Sequence, residues 1–196
     1  FKELITAGQL EEASEIARTQ VKKGAQIIDI CVSNPERNEL EDMVTFLPHV
    51  LKKVKAPLML DSMDAEVVEA GLRLCQGKAI INSINLENGL ERFEKVAPLV
   101  KKYGAAVVVG LIDEQGMALT RQRKLEVAER CYDLLVKKYG LAPVDLIFDP
   151  LTFPVGTGDK KYLGSAVETI EGLRLIKTRF PECKTILGIS NVSFGL

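Results

Sequence analysis

Residues 10–32 read LEEASEIARTQVKKGAQIIDICV, a helix-patterned stretch followed at once by a strand-patterned one. In the first part Leu10, Ala13, Ala17 and Val21 fall on one face, Glu11, Glu12 and Glu15 come early, and Lys22 and Lys23 come late. That order of charges complements the helix dipole, and Gly24 supplies the stop. Gln26–Val32 is then a short, nearly continuous apolar run, which is what a parallel strand covered on both faces requires.

The same pair repeats outward along the chain. Further strand-like runs are Pro57–Asp61, Ala79–Ile84, Ala105–Ile112, Asp145–Phe148 and Thr185–Ile189. Between them lie helical stripes: Leu40, Met43, Val44, Leu47 and Leu51; then Val68, Leu72 and Cys75 behind a cap at Asp64; then Leu90, Phe93 and Ala97. Two more follow, Leu125, Ala128, Cys131 and Leu135, and Val167, Ile170, Leu173 and Ile176. Regular alternation of this kind predicts an α/β fold with a parallel sheet. A complete TIM-type barrel takes about 250 residues and eight strands, whereas this chain has 196 residues. It opens on a helix and closes on a strand. The simplest reading is one domain, residues 1–196, forming a (β/α) barrel truncated by its first strand and its last β/α unit.

Composition removes several functions. The chain has 26 Lys+Arg against 27 Asp+Glu, a net charge of −1, so it offers no broad basic surface to a phosphate backbone and no nucleic acid is expected. No apolar run approaches the roughly 20 residues that span a bilayer, so no membrane is expected either. Four cysteines lie far apart without a C-x-x-C pair, and His49 is the single histidine. Zinc ligation lacks its spacing, so no metal is expected, and four buried thiols in a reducing cytoplasm is the reading. The lysine pairs, such as Lys52-Lys53 and Lys101-Lys102, read as solvated helix ends. Gly156-Thr157-Gly158 lacks the further residues of a phosphate loop and reads as a plain loop.

The informative residues stand at the strand ends, where ligands of parallel α/β folds bind. Asp29 ends the first run, Asp61-Ser62 the second, Asn82-Ser83 lies in the third, Asp113-Glu114-Gln115-Gly116 follows the fourth, Asp149-Pro150 ends the fifth, and Ser190-Asn191-Val192-Ser193 follows the sixth. No lysine or histidine ends a strand, which disfavours Schiff-base and histidine acid–base chemistry. Carboxylates accept paired N–H bonds from an amidine-like edge, and amides both donate and accept. Such a ring suits a flat polar heterocycle with several N–H donors, of the pterin kind.

These segments resemble the pterin-binding barrel family: Gly24-Ala25-Gln26-Ile27-Ile28-Asp29-Ile30, Leu60-Asp61-Ser62, Ile81-Asn82-Ser83-Ile84-Asn85, Asp113-Glu114-Gln115-Gly116, Phe148-Asp149-Pro150 and Gly188-Ile189-Ser190-Asn191-Val192-Ser193-Phe194. The likeness runs over essentially the whole chain. It is nearest to the folate modules of cobalamin-dependent methionine synthases and to the methyltetrahydrofolate:corrinoid methyltransferases. The resemblance implies a methyltransferase that binds 5-methyltetrahydrofolate and passes its N5 methyl to a Co(I) corrinoid (cobalamin) carried by a partner module or protein, with homodimerisation left open. It implies Asp61, Asn82 and Asp149 as pterin contacts, Asn191 as the catalytic amide beside N5, Ser193 as its support, and Asp113 and Gln115 on the rim. Cys31 stands where members of the family often carry asparagine. Two alternatives are a dihydropteroate synthase-like enzyme, which typically carries Ser-Arg-Lys where this chain has Ser190-Asn191-Val192, and a non-catalytic pterin-binding module.

Overall fold

The computed structural model describes residues 1–195. Its strands in chain order are β1 (Ile28–Ile30), β2 (Leu58–Asp61), β3 (Ile80–Ile84), β4 (Ala106–Gly110), β5 (Ile112–Asp113), β6 (Gly116–Met117), β7 (Leu146–Asp149) and β8 (Lys184–Thr185). Six of them, all but β5 and β6, belong to one sheet in which strand order follows the chain. The helices are α1 (Lys2–Thr6), α2 (Leu10–Lys22), α3 (Glu39–Lys53), α4 (Ala65–Leu74), α5 (Glu91–Tyr103), α6 (Arg121–Tyr132) and α7 (Ser165–Arg179). None of the described helices is long and apolar enough to cross a membrane. The chain divides into two compact units, one of residues 1–83 with 99–105, the other of residues 84–98 with Ala106 onward.

In the first unit β1 pairs in parallel with β2, and β2 with β3, in a register that sets Asp61 opposite Asn82. Helices α3 and α4 start where a side chain satisfies a free N–H group: Asn38 accepts from Glu41 N–H at α3, and Asp64 from Glu66 N–H at α4. Met43, Phe46, Leu47 and Val50 of α3 and Val68 of α4 are buried, as are Leu60 and Ile81 of the strands. Gly71 lets α4 approach the sheet, because a Cβ there would lie 2.8 Å from Leu60 Cδ1.

In the second unit β7 pairs in parallel with β4 and with β8, and Gly110 stands opposite Asp149. Val107, Val109, Phe148, Ala128 and Leu135 are buried, and Tyr132 stacks on Phe180 with ring centroids 4.4 Å apart. A π-helical segment, Asp133–Lys138, continues α6.

Four expectations are corrected. The Ala105–Ile112 run stops as a sheet strand at Gly110, and Ile112–Asp113 instead forms an antiparallel hairpin with Gly116–Met117, Gly116 supplying the positive φ of 100°. The Thr185–Ile189 run contributes strand only at Lys184–Thr185, and Ile189–Ser193 coils into a 3₁₀ turn. Two helices are rotated from the apolar pattern: α6 buries Lys124 rather than Leu125, and α7 turns Thr169 and Gly172 inward while Val167 and Ile170 are exposed. Finally, the thiols are not all buried, since Cys31 is exposed and Cys75 half-buried.

Filling the close approach at Gly71 should be harmful. Alanine in a helix interior gains at most about 1 kcal/mol over glycine, whereas overfilling a packed core costs about 1–3 kcal/mol. Gly71→Ala should therefore lower the urea midpoint; an unchanged or raised midpoint would mean that Leu60 moves aside freely.

Candidate functional site

Of the residues singled out from the sequence, Asp61 and Asp149 end their strands, Asp29 and Asn82 lie within theirs, and Asp113, Gln115, Asn191 and Ser193 lie in the segments that follow. In the first unit Asp29 lies in β1, Asp61 ends β2, and Asn82 sits in β3, with a cis peptide joining it to Ser83. The β2–β3 register brings Asp61 and Asn82 side by side, and Asn82 Nδ2 reaches Asp29 Oδ1 at 3.5 Å, the outer limit of a hydrogen bond. Loss of water around the carboxylate, reinforced by the charge of Asp61, pushes Asp29 up to about 6, while the Asn82 amide works the other way. Two carboxylates and an amide thus share one end of this unit. The Ser62 hydroxyl accepts from Asp64 N–H at 3.0 Å and so helps start α4. Cys31 lies beside this group, its thiol pushed up first by lost hydration and further by Asp61, Asp29 and Glu39.

In the second unit Asp149 ends β7, and its Oδ1 accepts from Leu151 N–H at 2.9 Å. Leu151 has φ 63°, a left-handed conformation that a bulky side chain avoids. Burial raises the Asp149 pKa; the Leu151 N–H and the nearby Lys124 charge oppose that rise. Lys124 itself is fully buried, and lost hydration pushes it down to about 8. Asn191 is exposed on the 3₁₀ turn, and its amide folds toward Gly188, where a Cβ would come within 3.2 Å of Asn191 Nδ2. The loop after β7 holds that turn: Thr152 Oγ1 donates to Gly188 C=O at 2.5 Å, and Val155 N–H to Val192 C=O at 3.2 Å. Asp149 and Asn191 therefore belong to one hydrogen-bonded piece of structure. The Ser193 hydroxyl closes the turn on Ser190 C=O at 3.2 Å.

Asp113 is placed differently from the others. It is buried, and its two oxygens are engaged by the Arg123 guanidinium and, at 3.0 Å, by Gln115 N–H. Arg130 grips the adjacent Glu114 through both guanidinium nitrogens at 2.6 and 2.7 Å. Two arginines of α6 thus pin the β5–β6 hairpin and leave Gln115 exposed at its tip. His49 is half-buried on α3, its Nδ1 3.0 Å from Glu11 Oε2. Lys124 and Leu151 escaped the sequence reading. The available signal for Lys124 was a cation on an apolar face, with Val127, Ala128 and Cys131 at the following helical positions; nothing in the sequence marks Leu151.

An α/β fold with one parallel sheet, helical crossovers and polar residues at the strand ends defines the class: a TIM-type (β/α) barrel fold. Residues 1–196 match the model of the pterin binding enzyme family, and the chain belongs to that family. It is 38% identical over 199 residues to a methionine synthase of Mycobacterium tuberculosis (strain ATCC 25618 / H37Rv), an alignment covering all of this chain and 17% of that protein. The chain thus spans about a sixth of that relative's length. Among solved structures it is similar to a dihydropteroate synthase from Xanthomonas albilineans in complex with 7,8-dihydropteroate, with a TM-score of 0.67 and 20% identity over 92% of this chain and 64% of the other. A dihydropteroate synthase from Thermus thermophilus in complex with 6HMPPP gives a TM-score of 0.62 and 24% identity over 92% and 67%. At these identities the structural likeness speaks for the fold alone.

The crowding at Asp29 is open to direct measurement. A carbon-13 carboxyl titration should place its midpoint at about 6, and Asp61→Asn should lower it by removing the neighbouring charge. Because the folded-state value lies above the unfolded one, this carboxyl favours the folded chain increasingly as pH falls from about 6 to about 4. A midpoint at the ordinary aspartate value near 4 would show that the group is fully hydrated.

Proposed function

We propose that this chain is a folate-binding methyltransferase module, taking 5-methyltetrahydrofolate and delivering its N5 methyl to a reduced corrinoid held by a partner domain or protein. The observation that carries the reading is the 38% identity to a methionine synthase across the whole of this chain. It is supported by Ser190-Asn191-Val192, where the pyrophosphate-releasing dihydropteroate synthases typically carry a basic pair. The strand ends carry no Lys or His, which disfavours Schiff-base chemistry.

In this reading Asp149 accepts the ring N–H and exocyclic amine of the pterin, with Asp61 and Asn82 as further contacts. Gln115 lies at the rim, and Asp113 acts through the hairpin that presents it. Asn191 stands beside N5. The N5–methyl bond breaks with its electron pair remaining on nitrogen, so a proton or a strong hydrogen bond must meet that pair. A neutral amide is no acid at pH 7. Asn191 therefore stabilises N5 in its protonated form, the proton coming from water, and this is transition-state electrostatics rather than proton transfer by a side chain. Ser193, by closing the 3₁₀ turn, keeps the amide in place. When bound to its partner, the corrinoid supplies a reduced cobalt whose electron pair takes the methyl group.

The test mixes the full-length protein with 5-methyltetrahydrofolate and Co(I) cobalamin and follows the cobalt absorbance. Asn191→Ala should slow methyl transfer about 100-fold or more, the scale of one lost transition-state hydrogen bond, while folate affinity changes far less. Asp149→Asn should weaken folate binding about 10- to 100-fold, the scale of a charge-assisted pair. Equal losses of rate and affinity in Asn191→Ala would remove its assigned role, and an absorbance that never changes with wild type would remove the methyltransferase reading.

A further inference from the structure

We propose that Lys124 is a positioning residue for the Asp149 carboxylate, a buried strap that ties the turn after β7 to the hairpin after β4. The inference rests on the reading of Asp149 as a pterin contact and deepens it. Lys124 lies on the inner face of α6, fully buried. Its Nζ donates to Pro150 C=O and, at 2.8 Å, to Ala118 C=O, and stands 5.0 Å from the centre of the Phe153 ring. Burying an ammonium group is costly, and an apolar side chain of equal length would fill the space without that penalty. What the ammonium adds is the joining of two carbonyls.

Those carbonyls belong to the two segments that carry candidate site residues. Pro150 lies between Asp149 and Leu151. Ala118 N–H closes the hairpin on Leu111 C=O, and Leu111 N–H in turn binds Asp149 C=O, so a closed circuit of hydrogen bonds runs through Lys124. The turn itself needs holding, because Leu151 occupies the left-handed region. Thr169 of α7 donates to Leu151 C=O at 2.8 Å. Two helices therefore restrain successive carbonyls, α6 through Lys124 and α7 through Thr169. Helix α7 is shaped to this end: a Cβ at Gly172 would lie 2.7 Å from Lys124 Cδ. With Oδ1 of Asp149 engaged by Leu151 N–H, the turn sets the direction in which the other oxygen faces a ligand.

The test uses the full-length protein, with 5-methyltetrahydrofolate as the calorimetric probe. Wild type, Lys124→Met and Thr169→Val are compared, each variant also combined with Leu151→Asn. Methionine keeps the stem and removes the donors; asparagine enters the left-handed region far more readily than leucine and holds the turn without the strap. Lys124→Met should weaken binding about tenfold or more, the scale of losing a constraint behind a binding group, and Leu151→Asn should recover most of that loss. A merely structural lysine would lower thermal stability without such recovery. Should Lys124→Met fail to fold, the Thr169→Val pair makes the same comparison. Unchanged affinity in either folded variant, or a loss that Leu151→Asn does not recover, overturns the proposal. Amide exchange at Leu151 separates the strap from the pterin reading. The strap requires faster exchange in Lys124→Met whether or not folate binds, and an unchanged rate overturns it. A wild-type protein that takes up no folate sinks the pterin reading alone.

Discussion

A cation held between two backbone carbonyls in the interior is the constraint around which the second unit is arranged. An ammonium group without water must find acceptors, and here they are Pro150 and Ala118. The orientations of two helices follow from it. Helix α6 must carry Lys124 inward, so its buried face is offset from the one that leucine spacing describes. Helix α7 must present Gly172 to the lysine stem and Thr169 to Leu151, so Val167 and Ile170 face outward. Polar commitments, rather than the apolar stripe, set the rotation of these helices.

The first unit meets a similar demand by other means. Asp29 and Asp61 stand close enough for one charge to act on the other, and an asparagine amide offers Asp29 partial relief. Where the second unit fixes its carboxylate through a rigid turn, the first leaves a carboxyl whose protonation responds to its surroundings. The two arrangements suit different tasks. One holds an acceptor in a fixed direction, and the other leaves a carboxyl whose charge can adjust.

How much of this was legible in the sequence depends on the range of the interaction. The sheet strands and the helices from Leu10 onward are local matters of apolar spacing and capping, and most were readable to within a few residues, the strand at Lys184–Thr185 less well; the short helix Lys2–Thr6 escaped notice. The Asp64 cap was recognisable because an aspartate before an apolar stripe has one common purpose. The strand ends at Asp61 and Asp149 could be placed, whereas Asn82 lies within its strand and Asn191 on a 3₁₀ turn beyond β8. What stayed hidden was non-local. The run through Ile112 looks like continuous strand until Asp113 is seen to be held by Arg123. Isoleucine at 189 looks like strand until Thr152 and Val155 are seen to hold the 3₁₀ turn. Lys124 and Leu151 are ordinary letters whose meaning lies in partners far along the chain.

Cys31 carries a practical corollary. An accessible sulfhydryl is ordinarily a liability toward oxidants and electrophiles, since its deprotonated form is the reactive one. Here lost hydration above all, with Asp61, Asp29 and Glu39 adding to it, discourages that deprotonation. The sulfur is thereby kept chemically quieter at neutral pH than an ordinary accessible thiol.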